Sequence, residues 1–397
     1  MKKALVILMA LSMVFAAFAD EPAVKNEIAE FTGNASVTWG VDLDAGKTGF
    51  KNAESAKLKF TLIGKGDKST AGDGVWGELK IKLGDPEEYT SDNAAFAWAG
   101  KSVAVDVAKI HISDMLAIGI REGSNKYGKY EPVTAVKSNG HFATSNVGGA
   151  VTDGITLEVK LPDLLDLNID FRSVEQYTNN YGIGTSLAVK AVENLNLKVG
   201  FGIDFFNNNP WGLSASADYK LGLSDTMYLK PQVGFTMDNT DNSGVIAAAL
   251  LFGWGKESQD TNIKWVSKKV SDGFSVATKI ALADGAAIPL CVGVWDSTFV
   301  ENLKVGAQFH VNDLKNFAVN TLAFEFAYDL GGIKPAVAFA MDKGGDLEWT
   351  DDMKLDVKID FTGFVTNTTF TLEYESGNLK ADPAGLGKIN LTAKIAF

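Results

Sequence analysis

Gly387-Lys388-Ile389-Asn390-Leu391-Thr392-Ala393-Lys394-Ile395-Ala396-Phe397 are the last eleven residues of the sequence, and their reading decides the fold. In extended backbone, successive side chains point to opposite faces. Ile389, Leu391, Ala393, Ile395 and Phe397 therefore share one face, and Lys388, Asn390, Thr392, Lys394 and Ala396 the other. A half-buried strand of a soluble sheet meets this description, and so does a strand with one face in lipid. Two further observations must separate them: whether the rest of the chain repeats the pattern, and whether the chain is exported.

The amino terminus bears on export. Met1-Lys2-Lys3 is a short positive region, Ala4 to Phe18 is an apolar run, and Ala17-Phe18-Ala19 is a small-x-small site. Together they predict a secretory signal peptide over residues 1–19, cut after Ala19, leaving about 378 residues. The run is too short to be a membrane span. Cys291 is the one cysteine, so no internal disulfide can form.

The chain carries 37 Lys+Arg against 49 Asp+Glu, net −12. Loss of Lys2 and Lys3 would bring this to about −14, which argues against nucleic acid as a partner. At 46% hydrophobic residues the chain is too apolar and too patterned for disorder. No run of about 20 apolar residues follows the signal, so a membrane could be crossed only by a closed barrel.

The alternation recurs along the chain. Val37, Trp39, Val41 and Leu43 share a face, as do Leu58, Phe60 and Leu62 opposite Lys57, Lys59 and Thr61. Leu79, Ile81 and Leu83 alternate with Lys80 and Lys82, and Leu165, Leu167, Ile169 and Phe171 with Asp166, Asn168, Asp170 and Arg172. The run Leu195 to Phe205 carries Lys198 and Asp204 on its second face. Runs through 211–221, 227–237, 245–254, 273–283 and 288–298 continue it. Leu322 to Tyr328 alternates with Glu325, Met353 to Phe361 with Asp356, Lys358 and Asp360, and Phe370 to Tyr374 with Glu373. At 103–112 the phase slips, which predicts a bulge. Residues 85–100 and 121–153 read as loops, the second long enough to carry function. The runs often exceed the usual five or six residues. Charges of both signs occupy their second face.

Strands of about ten residues with this dyad pattern predict an all-β fold, a transmembrane antiparallel barrel with a polar lumen. About 21 runs can be counted. An even number is required if both ends lie on one side, so the expectation is about 18–20, with the poorly alternating 261–270 discarded first. Candidates to line the pore are Lys80, Lys82, Asp166, Asp170, Arg172, Lys198, Asp204, Asp218, Lys230, Glu325, Asp356, Lys358, Asp360 and Glu373. Trp39, Trp76, Trp211, Trp254, Trp295 and Trp349 fall near strand ends, as interfacial aromatic girdles would place them, and core packing would also explain some of them.

No catalytic residue, cofactor or metal site is expected. His111, His141 and His310 are far apart in sequence, and no nucleophile, phosphate-loop or paired-cysteine motif occurs.

Two resemblances add to this reading. The final strand is similar to the closing strand of bacterial outer-membrane barrels, which implies that Ile395 and Phe397 form an assembly signal read by the barrel assembly machinery. Thr38-Trp39-Gly40-Val41-Asp42-Leu43, Gly49-Phe50-Lys51-Asn52, Trp76 to Lys82 and Asp106 to Ile110 resemble the amino-terminal region of the treponemal major outer sheath proteins and their repeat-family relatives. That resemblance implies an outer-membrane β-barrel over 20–397, porin-like and a surface antigen, embedded in outer-membrane lipid. It also implies a homotrimer and binding of host extracellular-matrix proteins. The family is described as bipartite, which leaves open a division into 20–200 and 201–397. Three functions stand at this stage: a diffusion pore, a surface adhesin anchored by its barrel, and a soluble exported β-sandwich or solenoid.

Overall fold

The computed structural model describes residues 29–63, 76–84, 96–98, 101–122, 153–173, 181–205, 208–239, 244–257, 259–260, 269–315, 318–342, 352–381 and 383–396. These residues are almost wholly strand and turn, and every strand pairing is antiparallel. The main sheet holds 22 strands. Two of these, Phe96–Trp98 and Leu221–Gly222, pair with one neighbour only. The remaining twenty form a ring, because the first strand, Ala29–Asp42, pairs with both the second, Lys47–Ile63, and the last, Lys388–Ala396. The strand count sits at the upper end of the expected range. Because it is even, both ends of the described chain emerge on the same side of the ring.

Local chemistry explains the turns on that side. Asp163, Asn194, Asn302 and Asn367 adopt φ of 60°, 63°, 63° and 56° in the tight connections there. Asn and Asp are the non-glycine residues that enter this left-handed region most readily.

The predicted bulge is present: opposite Lys80 and Ile81 the pairing skips from Val107 to Val105, leaving Asp106 out of register. Two loop expectations change. Phe96–Trp98 within 85–100 is a short strand on Lys101–Ser113. Arg121 and Glu122 end the strand Leu116–Glu122, and Asp153 opens Asp153–Leu161; residues 123–152 lie outside the described residues, as do 1–19 and Phe397. Of the discarded run 261–270, Lys269–Val270 pairs with Gln259–Asp260 in a separate two-stranded sheet. The rest of that run is outside the described residues.

Burial is inverted relative to a water-soluble protein. Phe171, Val233, Leu250, Phe274, Val294, Phe324, Phe326, Val337, Leu372, Leu391 and Ile395 are exposed. Asp170, Asp218, Gln232, Gln308, His310, Glu325 and Asp356 are buried. The register puts these two sets on opposite faces of one sheet. The face with little solvent access in a closed ring is the inner one, so apolar side chains face out and polar ones in. A sandwich would need two sheets with apolar faces between them, and a solenoid would need repeats stacked along an axis. Neither describes this ring.

Two inner-face glycines are seats for aromatic rings. A Cβ on Gly306 would lie 2.1 Å from the Trp295 indole, and one on Gly253 2.1 Å from the Tyr228 ring. Trp295 is fully buried on the inner face, which corrects its place in an outer girdle. Its slot is that of a larger residue only because Gly306, directly opposite it, has no side chain. Gly306→Ala should therefore displace the indole and cost about 1–3 kcal/mol, as overpacking does. Tryptophan fluorescence and the denaturant midpoint measure this; an unchanged midpoint would mean that the indole has room to move.

Candidate functional site

Among the described residues, the inner face is where the strands gather charge in register. Lys80, Lys82, Asp166, Asp170, Arg172, Lys198, Asp204, Asp218, Lys230, Glu325, Asp356, Lys358, Asp360 and Glu373 all fall on that one face when pairings are followed from strand to strand. They are not gathered at one spot. Lys230 Nζ lies 3.3 Å from Asp218, and Lys358 Nζ 3.0 Å from Asp360. Thr371 Oγ1 donates to Asp360 at 2.6 Å, and Lys190 pairs with Asp166 at 2.7 Å. Glu373 borders a cleft of about 420 Å³ with Thr38, Gly40, Lys51, Asn390 and Thr392. The hydroxyls of Thr38 and Thr392 are 2.8 Å apart there, on the inner side of the seam between first and last strands.

Lys109 donates to Glu158 at 2.6 Å, and His111 Nε2 lies 3.5 Å from Glu78. No group of three or more His, Cys, Asp or Glu among the described residues is arranged to hold a metal ion. Among them, no helix is long and apolar enough to cross a membrane, which says nothing of crossing by strands.

One described segment enters the ring. After the strand Gly244–Gly253 the chain runs through Trp254 and Glu257 and returns at Lys269–Asp272, on the side where the termini lie. Val270, 1% exposed, packs with Tyr228, Leu251, Trp295, Ala323, Ala338 and Ala340 of the inner wall. Asp272, with no exposure, accepts from the Lys256 backbone N–H at 2.9 Å, from Ser297 Oγ at 2.8 Å, and from the Gln259 amide. Trp254 Nε1 donates to Asp296 at 2.8 Å and its ring stacks on Phe299, so it too belongs to this segment's anchor rather than to a girdle.

Glu257 ties the segment to the wall, with Lys220 Nζ at 2.7 Å and Lys230 Nζ at 3.4 Å. Burial pushes the Glu257 pKa up, but the hydrogen bond from Lys220 and the nearby positive charges outweigh it and leave it below the usual carboxylate value. Sequence reasoning missed Glu257, Val270 and Asp272, because the segment follows no strand period. The long loop read at 121–153 lies, apart from Arg121, Glu122 and Asp153, outside the described residues.

No family model matches the sequence. Two treponemal proteins do. The major outer membrane protein MspA of Treponema maltophilum is 47% identical over 141 residues, covering 32% of this chain and 24% of that one. The major surface protein MspTL of Treponema lecithinolyticum is 42% identical over 134 residues, covering 32% and 22%. Over about a third of its length the chain is similar to these two treponemal surface proteins. It spans about a quarter of the length of the relatives it matches. Among solved structures, a mutant of the Rh. blastica porin aligns over 93% of this chain and 100% of its own at 11% identity, TM-score 0.40. Pseudomonas aeruginosa OpdQ aligns over 93% and 98% at 10% identity, TM-score 0.43. A TM-score below 0.5 does not establish a shared fold, so the barrel rests on the chain's own strand pairing.

The depressed pKa of Glu257 makes the anchor acid-sensitive. A carboxyl whose folded pKa is lowered contributes stability above its unfolded value and loses it as pH falls through the folded one. The segment should thus hold at pH 7 and loosen below about pH 4.5, the ordinary range for a glutamate. Glu257→Gln should loosen it already at neutral pH. Limited proteolysis mapped by mass spectrometry reads this as cleavage appearing between 254 and 272, and equal protection at both pH values would count against the anchor.

Proposed function

We propose that the chain forms an outer-membrane barrel around a water-filled pore for passive diffusion of small hydrophilic solutes, and is displayed as a surface protein. The observation that carries this reading is the inverted polarity of a closed sheet. Exposed Phe, Val and Leu side chains ring the outside, where a bilayer would solvate them. Charged and hydroxylated side chains occupy the inside, where water and solute would. The words "outer membrane" and "surface" in the relatives' names agree with it. Lysine–carboxylate pairing on the described inner wall supports a channel wall over an enzyme cleft, since the charges neutralise one another around the ring instead of converging. The segment anchored by Asp272 and Glu257 covers one arc of the inner wall, from Tyr228 to Ala340, so the pore would open against the remaining strands.

The test is conductance of refolded residues 20–397 in a planar bilayer under a KCl gradient. Signs nearly balance along the described wall, while the sequence carries acidic runs such as Asp85-Pro86-Glu87-Glu88 and Asp351-Asp352. A weak cation preference should appear in dilute salt and fade toward 1 M, since the Debye length is about 8 Å at physiological ionic strength. Absence of conductance would remove the pore reading.

We further propose that residues 20–397 fold as one barrel and not as separable halves at 200. Tyr181–Val189 and Leu195–Asp204 pair along their length across that boundary, and the seam needs both ends. Expression of 201–397 alone should give no heat-modifiable species on a gel; a stable, conducting fragment would restore the bipartite division.

The final strand is proposed as the assembly signal. Ile395, half exposed on the outer face, offers its side chain to lipid. Ile395→Lys should impair insertion by about 2–4 kcal/mol if it sits near the midplane and about 0–1 near the interface. Deletion of Phe397 should impair delivery to the membrane more than stability once refolded. Normal surface levels of both variants would contradict this role.

A further inference from the structure

Two glycines open a gap in the inner wall at the seam. Gly40 and Gly49 stand directly opposite each other on the first two strands, and Gly40 also faces Asn390 on the last. A Cβ on Gly49 would meet nothing within 4 Å, and one on Gly40 would lie 2.9 Å from Asn390 Oδ1. Two neighbouring inner positions therefore carry no side chain, and the Asn390 amide leans over bare backbone. This is the floor of the seam cleft, whose volume is about 420 Å³. Small-molecule sites commonly enclose about 300–1,000 Å³.

The register sets the chemistry around that floor. Lys51, Thr38, Thr392 and Thr371 follow one another in one inner row, and Gly49, Gly40, Asn390 and Glu373 in the next. Lys51 and Glu373 are the two charged residues among the described lining of the cleft. They stand at its opposite ends, three strand spacings apart, or roughly 14 Å of backbone at about 4.8 Å per strand. Both side chains border the same volume and reach over its floor from the two sides. The Asn390 amide and the Thr38 and Thr392 hydroxyls lie between them. Those hydroxyls are 2.8 Å apart and share one hydrogen bond. A pair of hydroxyls so joined keeps a second O–H hydrogen to donate elsewhere.

A small anion in this cleft would be drawn to Lys51 and repelled by Glu373, and a small cation the reverse. A neutral sugar would draw on neither charge. A molecule with a carboxylate at one end and an ammonium at the other satisfies both. We propose that the seam cleft binds small zwitterions of the amino-acid and short-peptide class. The carboxylate faces Lys51, the ammonium faces Glu373, and Asn390 and the threonine hydroxyls take the peptide amide. Both ends are then held by charge-assisted hydrogen bonds. This rests on the pore reading for access to solute and deepens it by naming a solute class.

The experiment is saturation-transfer NMR titration of L-alanyl-L-alanine into the refolded full chain in neutral detergent, which does not require the barrel to conduct. The N-acetylated dipeptide, which lacks the ammonium, and the dipeptide amide, which lacks the carboxylate, are titrated alongside. The parent should bind the free dipeptide about three- to tenfold more tightly than either capped form, the range expected for one partly exposed charge pair. Lys51→Gln should abolish the preference over the amide and keep the preference over the acetylated form; Glu373→Gln should do the converse. Gly49→Leu fills the floor without a clash at its Cβ and should weaken all three ligands. Lys198→Gln, far around the ring on Leu195–Asp204, should change nothing. Heat-modifiable migration on a gel establishes that each variant is folded. Equal binding of the three ligands by the parent, no binding by the parent, or the same preferences in Lys51→Gln and Glu373→Gln as in the parent would overturn the site. Maltose binding as tightly as the dipeptide, and indifferent to both charge variants, would overturn the zwitterion assignment. A conducting barrel that binds no dipeptide sinks this inference and leaves the pore reading intact; dipeptide binding without conductance does the reverse.

Discussion

The structure depends on having no free edge. A strand at the rim of an open sheet leaves a row of backbone N–H and C=O groups unpaired, and inside a bilayer each such group costs several kcal/mol with no water to relieve it. Pairing of Asn34–Asp42 with Lys388–Ala396 removes the edge. Once it forms, the sheet has an inside and an outside, and the period of two becomes a division between solvents. Leu43 N–H donating to the Gly387 carbonyl, and Asp44 accepting from the Leu386 and Gly387 N–H groups, secure one end of the seam where strand pairing stops.

Much of this was legible in the sequence wherever the inner face carries polar side chains. Leu165 to Arg172, Met353 to Phe361 and Phe370 to Glu375 announce both their strand and its facing, because each second residue is charged or hydroxylated. The alternation fades where the inner face is built of small residues. Ile333–Asp342 presents Ala336, Ala338 and Ala340 inward, all buried; Tyr181–Val189 presents Gly182, Gly184 and Ser186. Such strands look apolar or featureless on both faces, and only their neighbours' register reveals them. The segment through Glu257, Val270 and Asp272 was not legible at all. Its position depends on one carboxylate collecting hydrogen bonds from Lys256, Gln259 and Ser297, and no periodicity encodes that. Trp254 and Trp295 were misplaced for a related reason: nearness to a strand end does not tell which face a residue takes, and Trp295 takes the inner one.

Where the described inner wall is charged, bases and acids answer one another within hydrogen-bond reach, as at Asp218–Lys230–Glu257 and Lys109–Glu158–Lys160. Such pairs fix side chains against the wall and leave little net field.

The seam also governs how fast the molecule can come into being. The Thr38 and Thr392 hydroxyls that meet across it are 354 residues apart in sequence. Closing a loop of that length costs entropy before any contact repays it, and folding slows as contacts become less local. The hairpins between neighbouring strands can form early, but the ring remains an open ribbon until its last strand is available. During that interval the apolar outer face and two unpaired edges are both exposed to water. A chain built this way spends its vulnerable time before closure, so its yield is set by how well that ribbon is sheltered, and its persistence afterwards by how rarely the seam opens.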